Sequence, residues 1–210
     1  MRQMNNNNTP TAYRQQLRKR ILDVAAQEFR TKGIKSVKMD DIANLLSISK
    51  RTLYEIYDNK EQLLMESVRE EFQDFDRSMQ EVCDNPDLNV IDVVIEFYKL
   101  KIRRMSMVVP TYYYDLQKYP DILDWLNSQR SQRQSESTKF YEQGISEGLF
   151  RSDVNYDLIS DVSNGVMDYV MEQQLYTRYP LTEIFRNVVL LYIRGFCTVK
   201  GVEELQKHGL

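Results

Sequence analysis

Residues 39–60 read MDDIANLLSISKRTLYEIYDNK, and this stretch admits few folds. Ile42, Ala43 and Leu46 fall at helical spacing, and Leu53, Tyr54 and Tyr57 resume that spacing after a break. Ser47-Ile48-Ser49 lies between them, too short for a loop of its own and suited to the tight turn of a helix-turn-helix. Ser49 can cap the second helix by accepting hydrogen bonds from its first-turn N–H groups. Lys50, Arg51 and Thr52 follow at once, so this helix start carries two cations and two hydroxyls. A helix that reads DNA presents its N-terminal residues to base edges and phosphates, and those are the groups such a position needs. A solvated helix start would also tolerate a Lys-Arg pair, so the pair alone does not decide the matter.

The wider pattern is more specific. Gly33, the run Ser36-Val37-Lys38-Met39-Asp40-Asp41-Ile42-Ala43, and Ser49-x-x-Thr52-Leu53-Tyr54-x-x-Tyr57-x-Asn59-Lys60-Glu61-x-Leu63 resemble the N-terminal domain of the TetR family of bacterial repressors. The resemblance runs without a gap over residues 13 to 65. Three positions depart from the family pattern. Lys38 stands where a capping Ser or Thr is frequent, Ser47 where the turn is usually Gly, and Tyr57 where Phe is usual. Ser tolerates turns well, and a non-Gly residue costs little there if its φ stays negative.

The resemblance implies an all-α fold: a three-helix DNA-binding domain joined by a long helix to a helical ligand-binding and dimerisation domain. It implies double-stranded DNA as partner, met by Lys38, Met39, Ser49, Lys50, Arg51, Thr52, Tyr54, Asn59 and Lys60. Arg51 would read a base, most plausibly guanine, with Lys50, Thr52, Tyr54 and Lys60 mainly on phosphates. Tyr54 could instead serve packing, and Tyr57 is expected in the core. It further implies a homodimer on a palindromic operator and release by a small-molecule effector.

Charge distribution agrees with a DNA-meeting front. The net charge is −3, but residues 1–62 hold 12 Lys and Arg against 7 Asp and Glu, leaving the acidic excess to the remainder. At 210 residues and 42% hydrophobic, the chain can bury a sizeable core, and its seven Gly and five Pro favour helices over turn-rich β structure. No signal peptide and no apolar run long enough to span a membrane are present, and Cys83 and Cys197 lie far apart, which fits a reducing cytoplasm. The lone His208 leaves no histidine cluster for a metal, and no cofactor is expected.

The expected division is a disordered tail over 1–10 with Arg2 as a possible DNA arm, a DNA-binding domain over 11–60, and a regulatory domain over 61–210. A helix over 11–32 carries Leu17, Ile21, Ala25 and Phe29 on one face and Arg14, Arg18, Lys19 and Arg20 near its start, where one or two could touch phosphate. A connecting helix from Glu61 ends before Asn85-Pro86, and an apolar helix from Asp87 runs until Pro110 breaks it. Residues 121–147 read as one helix ended by Gly144 and Gly148. Two terminal helices follow, from Tyr156 to Arg178 and from Leu181 to about Lys200.

Aromatic and thioether residues collect at Met105, Met107, Tyr112, Tyr113 and Trp125. With Met167 and Tyr169 they are candidates for an apolar effector pocket, although ordinary core would use the same residues. Val162, Val166, Ile184, Val188, Leu191 and Tyr192 are the candidate dimer contacts of a four-helix bundle, though an internal core would have the same periodicity. No phosphate loop, nucleophile elbow or metal spacing suggests an enzyme. The remaining alternative is a helical partner- or ligand-binding protein without operator specificity.

Overall fold

The structure is a computed structural model describing residues 10–132 and 134–209. The expected tail, with Arg2, falls on 1–9 and so lies outside the described residues. The fold is all-α, as expected, with eleven α-helices among the described residues.

Helix α1 (Pro10–Lys32) opens on a proline at its first turn, where a missing N–H is harmless. It buries Leu17, Ile21, Ala25 and Phe29 and stops at Gly33, whose φ of +83° closes the helix on the Phe29 carbonyl at 3.0 Å. Helices α2 (Met39–Leu45) and α3 (Lys50–Tyr54) form the helix-turn-helix. The connector α4 (Lys60–Cys83) is capped by Asn59 and ends before Pro86.

Helix α5 spans Val90–Ser106, starting three residues later than the pattern suggested. Asn89 sets the start: its side chain accepts from the Ile91 and Asp92 N–H groups at 2.8 and 3.1 Å, and Asp92 accepts from the Asn89 N–H at 3.0 Å. Pro110 does not break α5, which has already ended; it opens α6 (Pro110–Leu116). The segment expected as one helix is described as α7 (Pro120–Gln132) and α8 (Gln134–Ser146). Gly144 lies inside α8 rather than ending it. A Cβ there would stand 2.0 Å from the Phe150 ring, so its missing side chain is where that ring packs.

Helix α9 (Tyr156–Glu172) ends six residues earlier than expected, because Gln174 takes φ +50° and leads into a one-turn 3₁₀ helix, Leu175–Thr177. Helix α10 (Leu181–Phe196) also stops early, where Cys197 turns to extended backbone and bridges Phe150. A further helix, α11 (Val199–Lys207), was not anticipated. Thr198 caps it, accepting from the Gly201 N–H at 3.1 Å, and only Leu205 and Gly201 are buried from it.

Three apolar clusters hold these helices. The first joins α1–α3 to Leu63, Leu64 and Val68 of α4 and to Tyr112, Leu116 and Ile122, so packing is continuous across residue 60. A second gathers Val90, Ile91, Ile95, Phe150, Phe196 and Leu205. A small third one contains Val170, Tyr176 and Leu181.

Candidate functional site

The turn between α2 and α3 is built from backbone hydrogen bonds, with the Ser47 N–H on the Asn44 carbonyl at 3.1 Å and the Ile48 N–H on Ala43 at 3.0 Å. Ser47 takes φ +55°, in the left-handed region. The premise that its φ would stay negative is therefore wrong. The turn geometry imposes the conformation for which glycine is the unstrained residue, at a cost of roughly 1–2 kcal/mol for others. Ser49 caps α3 as expected: its hydroxyl accepts from the Thr52 N–H at 3.0 Å and lies 2.8 Å from the Thr52 hydroxyl.

Helix α3 presents its first residues to solvent. The Arg51 side chain is 89% exposed, with its Nε donating to Glu55 Oε1 at 2.9 Å. Lys50 is exposed and pairs with Asp40 of α2; this hydrogen bond holds its ammonium pKa above the usual lysine value. Exposed pairs of this kind hold little net energy, so a phosphate or base can displace the carboxylate at small cost. Tyr54 is 47% exposed, whereas Tyr57 is fully buried. The Tyr57 hydroxyl donates to Glu66 at 2.7 Å, and burial pushes its pKa far up. The two rings are thus sorted, with Tyr57 in the core and Tyr54 on the exposed side.

Three other expected DNA contacts are differently employed. Met39 is 6% exposed and packs in the first cluster, because an apolar side chain at the start of α2 points under the helix. Asn59 is exposed, but its side-chain oxygen accepts the Gln62 N–H at 2.8 Å to cap α4. Lys60 has its ammonium on backbone carbonyls of this chain. Its ammonium donates to the Ile34 and Val37 carbonyls, both at 2.9 Å, and desolvation pulls its pKa down. Those carbonyls follow the end of α1 and have no helical partner, so the lysine satisfies them. Lys38 is exposed; its N–H donates to Asp41 at 3.0 Å, which replaces the absent Ser or Thr cap with the other half of a capping box.

The cations of α1 mostly fasten the domain. Arg14 donates to the Glu55 carbonyl at the end of α3 at 2.9 Å, Arg18 pairs with Glu66 and covers the Tyr57 ring, and Lys19 bridges Asp23 and Glu70. Sequence reasoning missed Asp115. This buried α6 carboxylate accepts the Lys35 N–H at 2.7 Å and ties the turn before α2 to the regulatory half. Nothing local in the sequence distinguishes it from a surface aspartate.

The expected effector residues do not form one group. Tyr112 is buried in the first cluster with Tyr113 and Trp125 at its edge, Met105 and Tyr113 border the third cluster, and Met107 and Tyr169 are exposed. Two open clefts of about 250 Å³ lie elsewhere, one beside Tyr141 and Tyr156 and one beside Asn89 and Glu204. The expected dimer residues do share a property. Val162 is 45% and Leu191 73% exposed, and Val166, Ile184, Val188 and Tyr192 are half-buried. Cys197 is buried, which raises its pKa to about 11, and Cys83 is exposed.

Residues 21–66 match the model of bacterial regulatory proteins, tetR family. They take in the end of α1, the helix-turn-helix and the start of α4. That segment is therefore a DNA-binding domain of the tetR type. The chain resembles the HTH-type transcriptional repressor KstR2 of Mycolicibacterium smegmatis, 23% identical over 147 residues, or 68% of this chain and 71% of that one. It is also similar to YvaF, an uncharacterised HTH-type transcriptional regulator of Bacillus subtilis, at 32% identity over 92 residues, 44% of each chain. A transcriptional regulator from Saccharomonospora viridis, solved in complex with choline, shares the fold. Its TM-score is 0.68 at 20% identity, covering 88% of this chain and 99% of the other. The relatives named here are all transcriptional regulators. No helix among the described residues is long and apolar enough to cross a membrane.

Proposed function

We propose that this TetR-family protein is a homodimeric repressor that binds a palindromic operator in the cytoplasm and leaves it when a small, mostly apolar effector binds. The observation that carries the reading is a pairing of two surfaces. One is the capped start of α3 with Lys50, Arg51 and Tyr54 outward. The other is an uncovered apolar stripe on the last long helices: Leu158, Val162, Val166 and Tyr169 on α9, with Val188 and Leu191 on α10. A single short recognition helix covers few base pairs. Two of them related by a two-fold axis meet successive major grooves, about 34–36 Å apart or somewhat more, and therefore read an inverted repeat.

In this reading residues 11–60 meet DNA and 61–210 dimerise and bind effector. Arg51 reads a guanine, while Lys38, Lys50, Thr52 and Tyr54 contact the phosphate backbone. Lys60 and Asn59 hold the domain's shape. Effector binding is supported by a structural relative solved with choline. Because packing runs from α1–α3 into α4, α6 and α7, a shift of the regulatory helices is transmitted to the recognition helix. Reversing operator occupancy from about 99:1 to 1:99 needs an affinity difference of ~5.5 kcal/mol between the two states.

The test is selection of binding sites from random duplex DNA, followed by titration at several salt concentrations. An enriched inverted repeat bound by two chains with a steep salt slope supports the reading. Weak binding without an enriched repeat would leave the helical partner-binding protein as the better account.

A further inference from the structure

The third apolar cluster holds the one buried side-chain polar atom without a partner among the described residues, the hydroxyl of Tyr176. The residue is 5% exposed, so water does not serve the hydroxyl from outside. Its neighbours come from four further elements: Met105 on α5, Tyr113 on α6, Val170 and Met171 on α9, and Leu181 and Ile184 on α10. A buried phenol that donates to nothing is unfavourable, and native interiors avoid it unless the group has another use.

The wall that carries Tyr176 is also the least regular part of this half. It is a single 3₁₀ turn between two long helices, entered through Gln174 at φ +50°. A non-glycine residue there is strained. Opposite it stand two methionines, whose unbranched thioether chains repack easily around a guest. An orphaned donor, adaptable thioethers and a strained wall thus meet at one place, against α5 and α6, the helices that lead to the DNA-binding half.

We propose that this cluster is a ligand site anchored by the Tyr176 hydroxyl, and that its ligand is an uncharged, largely apolar molecule carrying a carbonyl acceptor: a ketone, ester or amide. A phenol is a good donor and a poor acceptor, because its oxygen lone pair is delocalised into the ring; the matching ligand atom is therefore an acceptor. A carboxylate is disfavoured, since the apolar residues packed with Tyr176 in this cluster, Met, Val, Leu and Ile among them, would leave a buried anion poorly solvated. Burial also keeps the phenol protonated at neutral pH. The ligand enters by displacing the Leu175–Thr177 turn and the Met105 and Met171 side chains. The site stands independently of effector release, whereas its use as a switch rests on the repressor reading above.

The full chain is titrated with 2-nonanone, cyclooctanone and benzophenone, with nonanoate as the charged counterpart of the first. Binding is read by calorimetry and thermal melting, alongside Tyr176→Phe. At least one ketone should raise the melting temperature of the wild type. Its affinity for Y176F should fall at least about tenfold, the loss expected for one hydrogen bond to a buried donor. Its carbonyl stretch should move to lower frequency in the wild type and not in Y176F, which a merely structural tyrosine would not produce. Unliganded Y176F should melt at or above the wild type, because an unsatisfied donor has been removed. No binding by any of the three ketones, equal affinity in Y176F, tighter binding of nonanoate than of 2-nonanone, or a lower melting point of unliganded Y176F overturns the proposal. Anisotropy on the selected operator separates the two readings. A ketone held through Tyr176 that leaves DNA affinity unchanged supports the site and removes its role as a switch. A ketone that releases DNA equally well from Y176F keeps the switch and overturns the anchor.

Discussion

Helices α1 and α9 are both amphipathic, but they meet different fates. In α1, Leu17, Ile21, Ala25 and Phe29 are all buried within the chain. In α9 only Val170 is buried, while Leu158, Val162 and Tyr169 stand in solvent. Periodicity states that a face favours burial; it does not state against what. The N-terminal half has its apolar faces covered within the chain and turns polar and charged groups outward, where they can meet phosphate. The last long helices do the opposite and keep an apolar face uncovered, as a chain completed by a second copy would. Gly165 on α9 and Gly195 on α10 are also open, since a Cβ on either would meet nothing within 4 Å.

The most severe way to break that comparison is to place charge on the uncovered face. The double substitution Val162→Glu and Leu191→Glu would put four unpaired carboxylates into a two-fold interface. Each costs several kcal/mol to desolvate, so dimer dissociation should strengthen by at least about a thousandfold, or ~4 kcal/mol. Sedimentation equilibrium reads this directly. Leu45→Glu is the control: Leu45 is also exposed but sits in the DNA-binding half, and association should not change. Equal effects at the two places would refute the contrast between the halves.

The front is sharpened by separating reading from holding. Arg51→Ala should weaken operator binding by about 1–3 kcal/mol and relax one base position, measured by repeating the site selection with the variant. Lys60→Met should behave otherwise. It removes the cation that serves the Ile34 and Val37 carbonyls, so the domain should lose about 1–2 kcal/mol of stability in urea unfolding. The slope of log affinity against log salt should stay the same, because no phosphate contact is lost. A slope reduced by about one would return Lys60 to the phosphate backbone.

Legibility in the sequence follows the same contrast. The helix-turn-helix was readable because its constraints are local: a cap at Ser49, helical spacing on both sides and a turn of three residues. Gly33 and the Asn85-Pro86 stop were legible for the same reason. What escaped depends on distant partners. Helix α11 has few apolar residues, and it is held by Leu205 in the second cluster and by the pairing of residues 150 and 197. Gly144 looked like a helix end because its actual use, the space for the Phe150 ring, is invisible along the chain. The bonds of Lys60 within the chain could not be read locally, because the two carbonyls it serves lie 26 and 23 residues away. The division of the aromatic patch is likewise invisible along the chain: Tyr112 and Trp125 pack in the first cluster, and Met105 packs against the third.

The smallest expected effect concerns the turn itself. Ser47 holds φ +55°, a conformation in which glycine is unstrained but loses more entropy on folding. Strain of roughly 1–2 kcal/mol offset by that entropy leaves Ser47→Gly more stable by about 0.5–1 kcal/mol. Urea unfolding should show a higher midpoint at unchanged slope, and operator affinity should move little, since the Ser49 cap and the Arg51 side chain are untouched. A stabilised protein would show that the DNA-reading half carries strain its own core tolerates, with the strain confined to the turn that aims α3. Destabilisation would show instead that the Ser47 side chain, exposed as it is, supports the turn. In that case the departure from glycine would be an adjustment of the turn rather than a defect in it.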